Sequence, residues 1–226
     1  MHLAMNDQGW FSVEPESHVA VGIDIGFSND NSVVVTVERL RMPIPADRGG
    51  VGPDLMQKLG PPMLIVRGVV IHPLRTSFAQ VIEHAKRVQA VIDRTAEILV
   101  DCTGQLSFAE AARDAGLSFT QLSITGQAFD SVSFRDGKSV VSKSTLVSQV
   151  DAALTAGELI IPDDLPNADV LVQQLRAFTM GHSPITGQAT WSGRRAKDDV
   201  VLALSYAVHA LRGRTGIRWT AQLWGV

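Results

Sequence analysis

The chain has 226 residues, 45% hydrophobic and 19% charged, an ordinary globular composition sufficient for one large domain or two very small ones. Its single cysteine, Cys102, rules out an internal disulfide, and no apolar run approaches the roughly 18 residues a membrane helix needs. A net charge of -3 excludes a wholesale nucleic-acid coat, but not a local basic patch: from Ser192 onward Arg194, Arg195, Lys197, Arg212, Arg214 and Arg218 stand against only Asp198 and Asp199.

Residues 1–17 are polar and aperiodic and read as a flexible lead-in to a single domain over 18–226. Their opening, MHLAMNDQGW, lacks the charge and apolar core of a signal peptide, which together with the lone cysteine suggests a reducing cytoplasm. HVAVGIDIG (18–26) reads as a buried strand ending in a carboxylate and a glycine turn, and SVVVTVERL (32–40) as its hairpin partner across Asp30-Asn31. A Pro- and Gly-rich loop over 41–62 precedes a third strand, MLIVRGVVI (63–71). Helical spacing of Phe78, Val81, Ile82, Ala85, Val88 and Ile92 marks a helix over 77–94. EILVDCTG (97–104) is a strand ending in Asp101, followed by a helix over 106–115 that Gly116 closes.

A further strand is expected at 118–125, a hairpin tip at Gly137-Lys138-Ser139, and helices over 142–157 and 167–178 with a short extended ELIIP between them. GHSPITG reads as a loop and QATWS as a small extended stretch. DDVVLALSYAVHAL (198–211) is a helix with Val201, Leu204, Val208 and Leu211 on one face. The order implies an α/β fold with a mixed central sheet flanked by helices. The six histidines are too scattered along the chain to spell a zinc site.

Three acidic positions stand out by location. Asp24 sits inside an apolar strand, where a bare carboxylate is expensive to bury, and has no cap to serve. Asp101 lies at the carboxyl end of a second such strand, and Asp198 and Asp199 open an apolar helix. Asp-Asp at a helix start ordinarily acts as a cap, and an Asp before Cys-Thr-Gly can simply begin a turn. In an α/β sheet, however, strand ends and a helix N-terminus share one crevice. Carboxylates gathered there repel one another unless a cation neutralises them, and hard oxygen donors suit Mg²⁺ or Mn²⁺. Two such ions about 4 Å apart support in-line displacement at phosphorus.

The ordered set VGIDIGFSNDNSVVV, ILVDCTG, SKSTLVSQV, GELIIPDDLPNADVLVQQLRAF and KDDVVLALSYAV resembles the nuclease domain of phage terminase large subunits, from about Val19 to Leu211. The resemblance implies an RNase H-like fold and a two-metal endonuclease acting on double-stranded DNA, as in cutting concatemeric viral DNA during genome packaging. Asp24, Asp101, Asp198 and Asp199 would be its metal-binding catalytic carboxylates. Lys143 would contact DNA or assist the site, with Ser142 standing where the family usually has proline. Lys197 replaces a usual histidine, and with Arg194 and Arg195 it would line a basic rim that binds DNA. The resemblance further implies a phage or prophage protein in a bacterial cytoplasm, with a packaging ATPase, small terminase or portal protein as partners. The chain has no G-x-x-x-x-G-K-[ST] loop, so a motor ATPase is not expected within it. The alternatives are a Holliday-junction-resolvase-like nuclease and a catalytically silent DNA-binding or assembly module.

Overall fold

The computed structural model describes residues 3–5, 11–26, 30–44, 59–92, 96–125, 132–135, 138–182, 189–193 and 197–212. Within the expected lead-in, β1 (Leu3–Met5) pairs antiparallel with β2 (Phe11–Val13). The central sheet is built from β3 (Glu16–Asp24), β4 (Val33–Arg41), β5 (Met63–Ile71), β6 (Glu97–Asp101), β7 (Thr120–Thr125), β8 (Val132–Arg135), β9 (Lys138–Ser142) and β10 (Leu159–Ile160). It has eight strands in the order β10-β5-β4-β3-β6-β7-β9-β8. The hairpin and third strand form an antiparallel meander β3-β4-β5, whereas β3, β6, β7 and β9 run parallel. β8 turns back on β9, so a hairpin forms where one was expected, with Lys138 and Ser139 in β9 and not at its tip. Gly137 itself lies outside the described residues.

Period-two alternation assigns each strand residue to one of two cores. Val21, Ile23, Val34, Ile98 and Val100 pack with α1 (Phe78–Val91) and α2 (Leu106–Asp114) on one face. Ala20, Val33, Val35 and Leu99 pack with α3 (Lys143–Thr155), α4 (Ala168–Ala177) and α5 (Asp199–Arg212) on the other. Ser77 and Gln80 form a capping box at the start of α1, and Gly116, at φ 76°, takes the left-handed position that ends α2.

Two readings need correction. Burial on α5 is not confined to one face: Val200, Val201 and every residue from Ala203 to Val208 are buried. The helix lies between the sheet and its neighbours α3 and α4, which accounts for an apolar sequence all round. The helix expected over 167–178 stops at Ala177, and the chain passes directly into β11 (Phe178–His182), which pairs with β12 (Ala189–Gly193) as a two-stranded ribbon. Among the described residues no helix is long and apolar enough to cross a membrane.

Gly22 sets how closely α5 can lie on the sheet. A Cβ there would fall onto the carbonyl oxygen of Ala203 and come within 2.9 Å of the Ala207 nitrogen. The absence of a side chain in the middle of β3 is therefore what lets helix backbone rest on strand backbone.

Candidate active site

Asp24 and Asp101 close their strands as direct neighbours in the parallel β3–β6 ladder. Their carboxylates leave the sheet side by side, at its carboxyl edge. α5 crosses the same strands and carries Asp199 in its first turn, with Asp198 immediately before it. Lys143 opens α3, where Ser142 caps the helix through the Thr145 N–H at 3.0 Å. Serine in this position is therefore a sound helix start. The structure brings together Asp24, Asp101, Asp198, Asp199 and Lys143, residues spread over 176 positions (24 to 199) of the sequence.

The electrostatics follow from that crowding. Burial, then the charges of Asp199, Asp101 and Asp198, push the Asp24 carboxyl well above the usual range, and Lys143 only partly offsets them. Asp199 is raised to about 6, chiefly by burial and by Asp30, with Lys197 acting the other way. Three of the four carboxylates also have a local partner. Lys143 Nζ donates to Asp198 Oδ2 at 2.9 Å, and its ammonium lies 5.7 Å from the centre of the Phe178 ring. The Thr103 N–H donates to Asp101 Oδ1 at 2.8 Å, and the Tyr206 hydroxyl approaches Asp24 Oδ1 at 3.5 Å.

These partners bear on metal binding. The oxygen donors and their mutual repulsion suit a hard divalent cation. As the side chains stand, no group of three or more His, Cys, Asp or Glu among the described residues is arranged to hold one. The Lys143 ammonium instead supplies positive charge at Asp198. A shared ion at Asp198 would meet a carboxylate already paired with Lys143 through Oδ2.

Neither aspartate takes the Val200 N–H, although Asp199 accepts from its own backbone N–H. The Val200 N–H at the start of α5 donates to Gln174 Oε1 of α4 at 3.0 Å, and the Asp198 carboxylate is turned to Lys143. A glutamine from another helix thus satisfies a donor that an N-cap side chain would normally take.

Lys197 lies at the rim, its Nζ 3.2 Å from Asn31 Oδ1 and 3.8 Å from Asp30 Oδ1. Arg194 and Arg195 lie outside the described residues. Sequence reasoning missed Tyr206, Gln174 and Asn31. Tyr206 carried a usable signal: it is the only tyrosine in the chain, seven residues after Asp199, hence two turns along the same helical face. Gln174 carried none, because its partner belongs to a different helix.

No family model matches the chain, and no curated protein matches it in sequence. Among solved structures the fold matches the large terminase nuclease from thermophilic phage G20c, with a TM-score of 0.59 and 17% identity over 88% of this chain and 87% of that one. Structures of the same nuclease with bound magnesium and with bound cobalt match with TM-scores of 0.57 and 0.56, each at 18% identity over 88% of this chain and 86% of theirs. The chain therefore has the α/β, RNase H-like fold of a terminase nuclease domain: a mixed sheet with helices on both faces.

Proposed function

We propose that this chain is a metal-dependent endonuclease that hydrolyses the phosphodiester backbone of double-stranded DNA, as in cutting concatemeric viral DNA during packaging. The observation that carries the reading is the in-register pair Asp24–Asp101 facing the aspartates at the start of α5. The same fold in the G20c nuclease is found with magnesium and with cobalt, which supports a divalent cofactor here. Asp24, Asp101, Asp198 and Asp199 would hold Mg²⁺ or Mn²⁺. Two such ions, when bound, would supply the charge that activates water and stabilises the leaving oxygen.

The chain's own residues supply the rest. Tyr206 approaches Oδ1 of Asp24, where its hydroxyl can help orient that carboxylate. Gln174 holds the first turn of α5 through the Val200 N–H, so neither Asp198 nor Asp199 is needed for that donor. Lys143, once released from Asp198, is placed to meet a phosphate oxygen. Lys197, with Arg194 and Arg195 just before it in the sequence, offsets the negative crevice for an incoming backbone. A packaging ATPase, small terminase or portal protein would be the natural partners in a phage-infected bacterial cytoplasm.

Plasmid cleavage tests the reading directly. Mn²⁺ or Mg²⁺ should support nicking or linearisation, EDTA should abolish it, and Ca²⁺ should support DNA binding with little cutting because its looser coordination misplaces the water. Cleavage that survives chelation contradicts the metal mechanism. DNA binding without cleavage under any divalent ion would make the Lys143–Asp198 pair structural and the chain a DNA-binding or assembly module.

The rim has its own test. Backbone contacts carry affinity without sequence preference. Reversing Arg194 and Arg195 to Glu should weaken binding to all DNA sequences alike. It should also flatten the dependence of log K on log salt by about one unit per lost phosphate contact. An unchanged slope in titrations at several salt concentrations means DNA enters from another side.

A further inference from the structure

Away from the carboxylates, the fold brings together two of the histidines that looked scattered in the sequence. His72, just past the end of β5, and His84, in the middle of α1, point ring nitrogens at each other, Nε2 to Nδ1, at 3.1 Å. Their rings meet edge-on, with centroids 5.1 Å apart and planes at 66°. Beside them runs a groove of about 670 Å³ between the sheet and α1, with Thr36, Gly68, Val70, Val88 and Arg87 also in its lining.

We propose that His72 and His84 form a chelating site for a borderline transition-metal ion of the zinc class, separate from the carboxylate cluster and independent of the nuclease reading. Metal–imidazole bonds of roughly 2.0–2.1 Å would span the observed nitrogen separation at an angle of roughly 100°, close to tetrahedral. Imidazole is the ligand that such ions share, whereas Mg²⁺ prefers oxygen. Burial lowers the proton affinity of both rings, and the charges of His72 and Arg87 lower that of His84 further. Both therefore favour the neutral form that a metal requires.

No third His, Cys, Asp or Glu among the described residues completes a cage. The remaining coordination positions would be left to water or to an incoming donor from the groove. Arg87 beside His84 favours an anionic donor there. A bound ion would also tie α1 to the end of β5. His72 is already anchored at that point: its carbonyl accepts from Asn31 Nδ2 at 2.6 Å and its N–H donates to the Ser32 carbonyl at 2.9 Å.

The test is zinc titration of the full chain in excess Mg²⁺, so that oxygen sites are already occupied. Long-range ¹H–¹⁵N spectra read each imidazole separately, without any variant. The expected result is that His72 Nε2 and His84 Nδ1 shift together and saturate at one equivalent, with a rise in Tm. Replacement of His84 by Gln should weaken zinc binding at least about tenfold while leaving the metal-free Tm near the parent's. Zinc that moves other histidines first, or that binds the His84→Gln variant equally well, overturns the proposal. Two rings that stay unshifted, one donating and one accepting a simple hydrogen bond, overturn it as well.

Discussion

Asp24→Asn and Asp199→Asn should each lower DNA cleavage by at least about a thousandfold, ~4 kcal/mol of lost transition-state stabilisation, without unfolding the protein. On the proposed mechanism, losing a charge from one of these carboxylates would weaken both the hold on the ion and the stabilisation of the charge that develops in the reaction. The fold should respond in the opposite direction, because burial and neighbouring carboxylates raise the proton affinity of Asp24 and of Asp199 and strain the metal-free state. The sign can be worked out for Asp199, whose folded-state pKa of about 6 stands above its ordinary 3.8. Between those values the unfolded chain has released a proton that the folded one still holds. Stability from this group therefore falls as pH rises from about 4 to about 6, and is flat beyond. Asp199→Asn lacks that loss. Its melting temperature without metal, set against the parent's, should gain progressively across this window. A gap that narrows with rising pH, or a variant that melts far below the parent at neutral pH, would mean that Asp199 serves the fold and not an ion.

The second large effect is expected at Gly22. Gly22→Val should cost about 3 kcal/mol or more, because the new side chain meets helix backbone, which cannot rotate aside. For a chain of this length that corresponds to a fall in Tm of about 6–12 °C. The change should also shift α5 bodily and carry Asp199 with it, so the surviving folded protein should lose activity as well. Urea unfolding combined with plasmid cleavage checks both halves. A valine variant with parental stability would show that α5 can lie further from the sheet, and that glycine is dispensable there.

Most of the sheet was legible because buried strands announce themselves by composition: β3, β4, β5 and β6 lie within about two residues of where apolar runs and turn residues place them. Asp24 was visible for the same reason, as a charge interrupting an apolar run. QATWS announced β12 as an extended stretch, but its partner β11 was not legible. Phe178 continues the helical apolar pattern of the preceding ten residues, and only pairing with a strand eleven residues further on makes it extended. The contacts around the candidate site divide in the same way. Acids at element ends follow from local sequence, whereas Gln174 to Val200, Asn31 to His72 and His72 to His84 are consequences of packing. No window along the chain contains both members of any of these pairs in a recognisable pattern.

The cap that Gln174 lends to α5 makes chemistry and folding separable at this helix. Where an aspartate both caps and catalyses, replacing it frays the helix, and an inactive variant becomes a poor likeness of the active one. Here the first turn is pinned from α4, so Asp198 and Asp199 can be altered with the helix end still anchored. An Asp198/Asp199 double amide should therefore keep the shape of the crevice while shedding its negative charge. On the proposed function, that makes it a suitable form in which to capture uncut DNA.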